Sequence, residues 1–167
     1  METYIIIEGF ENYSVSDFGN VRNNRTGRIL KLGVNKDGYH HVTLMKNKLK
    51  HTKKLHRLTA EAFLLNLEKK RDVDHKDNDK ANNKLSNLRW ATHSENEHNK
   101  GISKKNTSNV EGVSFNKKCN KWCARIMIDG ISIHLGYFDN LEDAKQARII
   151  KANEVFGVFV NKCEKII

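Results

Sequence analysis

Apolar residues in this chain never run long enough to build one large core. They make up 38% of the 167 residues, against 30% charged, and in the first fifty residues turn signals keep cutting them short. Tyr4 to Ile7, Val21, Ile29 to Leu32 and Tyr39 to Leu44 read as strands, whereas Asp17-Phe18-Gly19-Asn20, Thr26-Gly27 and Lys36-Asp37-Gly38 read as turns. The expected architecture is therefore several small modules in series. No stretch approaches the roughly 18 apolar residues of a membrane span, so no membrane role is expected.

The formal net charge is +10 and the isoelectric point about 9.5. Residues 1–50 contribute +3, residues 51–100 contribute +3 and residues 101–167 contribute +4. An excess spread this evenly lets every segment touch a polyanion, as in an extended binder of nucleic acid. Charge alone is equally compatible with a merely soluble, Lys-rich surface. The three cysteines, Cys119, Cys123 and Cys163, cannot form a four-thiolate zinc site. With no signal peptide, buried free thiols in an intracellular protein are expected.

From Leu55 the spacing becomes helical, and Leu55, Leu58, Ala62, Phe63 and Leu67 can share one face. His56 flanks that face and reads as structural. Further on, Thr92 and Glu95 form a T-x-x-E capping box that predicts a helix starting at His93. Between these lies V-D-H-K-D-N-D-K-A-N-N-K-L-S-N-L-R-W-A-T-H-S-E-N-E-H-N, residues 73 to 99. Asp74 and His75 are adjacent, Asn87 follows twelve residues after His75, and Asn96 nine after that.

This string resembles the metal-binding core of HNH endonucleases carried by mobile introns and phages, including the homing enzymes. The resemblance implies a two-stranded ribbon followed by a helix, gripping one divalent cation. It implies Asp74 and Asn96 as metal ligands, His75 as the general base and Asn87 as the residue that holds the histidine-bearing loop. The residue types suit that chemistry. Mg²⁺ or Mn²⁺ takes oxygen ligands and keeps several waters, so one carboxylate and one amide can suffice. Imidazole titrates near neutrality and can take a proton from water. Histidine often stands where this chain has Asn96, which implies a weaker, less zinc-like site. His93 or His98 could supply a ligand instead, but they are five residues apart and do not share a helix face, which counts against it. Asp77 and Asp79 read as a solvated turn, and Trp90 as core.

Two flanking resemblances extend the picture. I-E-G-F-E-N-Y-S-V-S-D-F-G-N-V-R-N is similar to a small modular DNA-binding domain that often precedes an HNH core, with Arg22, Arg25 and Arg28 as the implied DNA contacts. V-E-G-V-S-F-N-K-K-C-N-K-W-C-A-R-I-M-I-D-G-I-S-I-H-L-G-Y-F-D-N-L-E-D-A-K-Q-A-R resembles the ethylene-response-factor (Apetala two) DNA-binding domain. Its implied DNA contacts are Lys117, Lys121, Trp122 and Arg125, although Trp122 could equally supply aromatic bulk to a small sheet. The residues independently suggest three strands, an Asp129-Gly130 hairpin turn and a helix capped by Asn140.

The expected fold is α+β in three small modules: an N-terminal β-rich domain (1–50), an HNH core (51–101), a linker (102–109) and a three-stranded antiparallel sheet with one packed helix (110–161). The expected function is metal-dependent, site-specific cleavage of double-stranded DNA by a monomer, nicking one strand, in the cytoplasm or nucleus of a phage- or virus-infected cell. The rival reading is a non-catalytic DNA-binding protein resembling a transcription factor. Retention of Asp74, His75, Asn87 and Asn96 together counts against it.

Overall fold

The computed structural model describes residues 1–99, 106–161 and 164–165. Its α+β architecture consists of small antiparallel sheets with few helices. The chain divides into two compact units, Met1–His93 and Ser94–Ile167.

In the first unit, β1 (Tyr4–Ile7), β2 (Phe10–Ser16) and β3 (Val21–Asn23) form one sheet in sequence order. A second contains β4 (Gly33–Val34), β5 (His40–Lys46) and β6 (Leu49–Lys54). Ile7, Tyr13, Val15, Val21, Val42 and Leu44 meet Leu55 and Leu58 of α1 (Leu55–Phe63) in one core. The run Ile29 to Leu32, expected as a strand, makes only an isolated bridge between Ile29 and Arg22. Leu30 and Leu32 instead pack against the core.

Helix α1 has two working faces. Leu55 and Leu58 face the N-terminal sheets, while Ala60 packs with Val73 and Leu88 of the next ribbon. The helix stops at Phe63 and the expected face does not reach Leu67. Leu64 is already extended, its N–H closing on Ala60 O, and Leu65 and Leu67 are 88% and 87% exposed. Trp90 donates its indole N–H to Leu64 O at 3.1 Å and packs beside Leu64. That satisfies one terminal helix carbonyl from the ribbon side.

The ribbon pairs β7 (Asp72–His75) with β8 (Leu88–Ala91), in register Asp72↔Ala91, Val73↔Trp90, Asp74↔Arg89 and His75↔Leu88. Helix α2 (His93–His98) follows, starting where the capping box predicts. The division between the units falls inside this helix, after His93. The hairpin β5–β6 crosses position 50, so residues on both sides of it share one sheet. Residues 102–105 of the expected linker, with Gly101, lie outside the described residues.

In the second unit β9 (Val113–Asn116), β10 (Lys121–Ile128) and β11 (Ile131–Phe138) form an antiparallel sheet with β10 central. Asp129 and Gly130 both have positive φ, 49° and 79°, the conformation that matches a hairpin to its strand twist. Gly112 is required: a Cβ there would lie 2.1 Å from Arg125 O, and its φ is +70°. Helix α3 (Leu141–Phe156) is capped by Asn140, whose side chain accepts the Asp143 N–H at 2.8 Å. Ala144 and Ala152 are fully buried and pack against Val113, Ala124 and Ile126. The expected three-stranded sheet with one packed helix is present. Cys123 is a buried thiol, but Cys119 is exposed in the β9–β10 turn, contrary to expectation. Cys163 lies outside the described residues. No helix among the described residues is long and apolar enough to cross a membrane.

Candidate active site and DNA-facing surfaces

Val73, Asp74 and His75 end β7 in a buried position, with Asp74 3% and His75 5% exposed. Arg89 lies directly across the ribbon from Asp74 and donates through Nε and Nη2 to Asp74 Oδ2, at 2.7 and 2.6 Å. The His75 ring meets His56 edge-on at 5.1 Å between centroids and Tyr39 at 6.0 Å. Tyr39 is in turn flanked by the Lys54 and Lys80 ammonium groups, 5.2 and 4.7 Å from its ring centre.

This wall of rings has electrostatic consequences. Burial lowers the pKa of His75, while the Asn83 hydrogen bond and the charges of Asp74, Asp77 and Asp79 pull it back up. Burial, assisted by His75, Lys54 and Arg57, pushes His56 down to about 3. His56 is thus a neutral ring at physiological pH, and its buried Nδ1 has no hydrogen-bond partner among the described residues. That suits a spacer packed behind His75.

Asn87 ends the short 3₁₀ turn Leu85–Asn87 that leads into β8. Its Nδ2 donates to Asp77 Oδ1 and to Asn82 O, both at 2.8 Å, and its Oδ1 accepts the Asp77 N–H at 3.1 Å. Its backbone carbonyl also accepts the Lys76 N–H at 2.8 Å. One amide thus ties both ends of the loop that follows His75. The Asp77 pKa feels desolvation upward, but the hydrogen bonds from Asn82, Asp79 and Asn87 outweigh it and lower the value. Asp77 is thus an exposed turn residue, as its sequence suggests, and it also anchors the loop.

Asp74, His75 and Asn87 come together in the first unit. Asn96 is half-buried on α2 in the second unit. Among the described residues no group of three or more His, Cys, Asp or Glu side chains could hold a metal. Carboxylate and amide oxygens are hard donors of the kind a Mg²⁺-type cation takes while keeping most of its water, unlike the donors of a zinc cage.

The implied DNA contacts are distributed as follows. Arg22 lies on β3 with its guanidinium 4.0 Å from the centre of the Tyr4 ring. Arg25 is exposed in the turn after β3, and Arg28 lines a surface cavity with Lys31, His41 and Tyr13. On the second unit's sheet, Lys117 is exposed in the β9–β10 turn, and Lys121 pairs with Asp139 at 3.0 Å. Arg125 is exposed on β10, on the same side as Met127. Of the two roles open to Trp122, its packing favours aromatic bulk. It packs with Val113, Ala124, Leu135 and Leu141 on the helix-covered face and meets Phe115 edge-on at 5.2 Å. Strand alternation puts it on the opposite side from Arg125, so it supplies core bulk.

Residues 53–98 match the sequence model of the HNH endonuclease family. This central segment is similar to HNH endonucleases. Ahead of it, residues 2–45 match the NUMOD4 motif. A similar protein is the DNA endonuclease I-HmuI of Bacillus phage SP01, 44% identical over 87 residues, which cover 52% of this chain and 50% of the relative. An uncharacterized HNH endonuclease of Acanthamoeba polyphaga mimivirus is 42% identical over 87 residues, covering 52% of this chain and 26% of the relative. The chain thus spans half or less of the length of these curated relatives. A solved structure of the HNH homing endonuclease I-HmuI, describing its DNA binding and cleavage, superposes with a TM-score of 0.55 at 28% identity. It covers 93% of this chain and 92% of that one. The segment that matches the HNH model contains Asp74, His75, Asn87 and Asn96. Sequence reasoning overlooked Arg89 and Asn83, whose roles depend on strand register and loop geometry.

Proposed function

We propose that this chain is a site-specific, homing-type endonuclease that hydrolyses one strand of double-stranded DNA with the help of one divalent cation, Mg²⁺ or Mn²⁺. The observation that supports this reading best is the buried Asp74–His75 pair at the end of β7, inside the segment that matches the HNH family. Asp74 would hold the cation, with Asn96 as the second ligand that the family resemblance implies. When bound, the cation supplies positive charge to the scissile phosphate as negative charge develops.

His75 takes the proton from the attacking water. Its lowered pKa keeps the imidazole neutral, and so able to accept, at physiological pH. The rings of His56 and Tyr39 restrict its movement, and Asn87 fixes the loop after it. Arg22, Arg25 and Arg28 would grip the phosphate backbone from the N-terminal sheets. Lys117, Lys121 and Arg125 would read DNA from the exposed face of the C-terminal sheet, in the manner of an ethylene-response-factor domain. A ribbon of this kind fits the major groove. The relatives of phage and viral origin support a setting inside the infected cell. One such site per chain makes a nick the product of a monomer.

The test is a supercoiled plasmid bearing the target region, incubated with the protein in Mg²⁺ or in EDTA. Metal-dependent conversion to the open circle supports the reading. Binding without any strand break in either condition supports a non-catalytic DNA-binding protein.

A further inference from the structure

We propose that Asn83 is the positioning residue that selects which ring nitrogen of His75 carries the lone pair, and that the N-terminal sheets hold Asn83 in place for it. This rests on the reading of His75 as the general base. Asn83 is 4% exposed, and its side chain sits between His75, His40 and its own loop. Its Nδ2 donates to Ala81 O at 2.9 Å. A carbonyl can only accept, so this bond fixes which end of the amide is which. Oδ1 is then the atom 3.2 Å from His75 Nε2. An amide oxygen can only accept in turn, so Nε2 carries the hydrogen. In the neutral ring the lone pair is left on Nδ1, the nitrogen that must take the proton from water. An acceptor at this spot favours the tautomer that keeps its hydrogen on Nε2 and presents its base on Nδ1.

What fixes Asn83 comes from outside the HNH segment. The same Nδ2 lies 3.3 Å from Nδ1 of His40, at the start of β5, and an amide donor there makes that nitrogen an acceptor. The backbone of Asn83 rests on Gly19: a Cβ at Gly19 would stand 2.9 Å from Asn83 O and 3.0 Å from Asn83 Cβ, and its φ of +77° suits glycine. Beside it, Asp17 O accepts the Leu85 N–H at 2.8 Å, anchoring the far side of the loop. Lys80, in the same loop, donates to Asp37 O at 2.9 Å. The turn Asp17–Gly19 and the β5 entry thus form the back wall of the catalytic loop. The N-terminal sheets belong to the reaction centre as well as to any grip on DNA.

The direct test uses the full chain. With ¹⁵N-labelled histidine at pH 8, where imidazoles are neutral, long-range ¹H–¹⁵N spectra of the metal-free protein should show His75 with Nε2 protonated; His75→Gln assigns the signal. Asn83→Leu, which has no acceptor, should give a mixed tautomer and lower the single-turnover cleavage rate roughly 10- to 100-fold, with DNA affinity unchanged. Asn83→Asp, which keeps an oxygen facing Nε2, should recover both the tautomer and much of the rate. His75 protonated on Nδ1 in the unaltered chain would overturn the proposal even if Asn83→Leu failed to fold. So would Asn83→Leu cleaving at the full rate. A protein with the expected tautomer that never cleaves DNA would contradict the endonuclease reading and leave the ring geometry standing.

Discussion

Asp74 and Arg89 are directly opposed across the β7–β8 ribbon, and the arginine spends two donors on one carboxylate oxygen, at 2.7 and 2.6 Å. The residue best suited to anchor a cation therefore already holds a positive charge. Both side chains are shielded, with 4% and 14% exposure for Asp74 and Arg89. Removing one member of a buried pair leaves the other charge uncompensated, at about 3–5 kcal/mol. Arg89→Ala should thus lower thermal stability markedly without metal. Mg²⁺ should then raise the melting temperature of the variant more than that of the unaltered chain, because the cation replaces the missing charge. Equal Mg²⁺ shifts in the two proteins would show that Asp74 does not hold the ion.

His56 makes stability depend on acid. Its pKa falls from 6.5 unfolded to about 3 folded, so between those values the unfolded chain binds a proton that the folded chain refuses. Stability from this group is present in full above pH 6.5 and lost as the pH falls toward 3, by up to about 1.4 kcal/mol per pH unit. Urea unfolding at pH 8 and pH 5 should show that loss. His56→Phe, which keeps a ring behind His75, should be less acid-sensitive over the same interval. If both proteins lose the same stability between these pH values, His56 is not buried as a neutral ring.

Asp74→Ala should remove Mg²⁺-dependent strand breakage, and Asn96→Ala should weaken it in a way that higher Mg²⁺ or Mn²⁺ partly restores. A cation that keeps most of its hydration shell can survive the loss of a neutral ligand more readily than the loss of its only anionic one. Titration of Mg²⁺ in the cleavage assay separates the two behaviours. An Asn96→Ala protein beyond rescue at any metal concentration would assign Asn96 to something other than coordination.

Trp122 and Arg125 should give separate defects because they occupy opposite faces of β10. Trp122→Ala removes part of the core beneath α3 and should cost on the order of 3 kcal/mol of stability. Arg125→Ala should leave stability unchanged, weaken DNA binding and flatten its dependence on salt by about one phosphate contact. Affinity measured across a salt series, with denaturation curves for both variants, checks the assignment. An Arg125→Ala protein with unaltered salt slope would place DNA elsewhere.

Much of this arrangement was legible because it is locally encoded. Asp129-Gly130 marks a hairpin, Asn140 with Asp143 marks the start of α3, and Thr92 with Glu95 marks the start of α2; each depends only on near neighbours in sequence. Strands held mainly by pairing were harder to see. Leu49–Lys54 is largely exposed and strongly basic, and it is a strand because β5 lies beside it. In β2 Tyr13 and Val15 alternate but Phe10 falls out of phase, and Ser14 and Ser16 are buried too. The helical spacing through Leu67 was misleading, because tertiary contacts at Leu64 and Trp90 end α1 a turn earlier. Arg89 could be paired with Asp74 only after the ribbon register was known. Asn83 belongs to no local motif, and its place is set by the distant N-terminal turn at Gly19.

The central claim is that His75 performs the chemistry and contributes little to holding DNA. The most direct measurement compares His75→Ala with the unaltered chain in single-turnover cleavage of a Mg²⁺-containing DNA substrate, alongside DNA affinity measured in EDTA. The rate should fall about 10²–10⁴-fold, the usual contribution of a positioned general base, with affinity unchanged within a factor of about two. A His75→Ala protein that cleaves at the full rate, or that loses its rate only because it no longer binds DNA, would contradict the account.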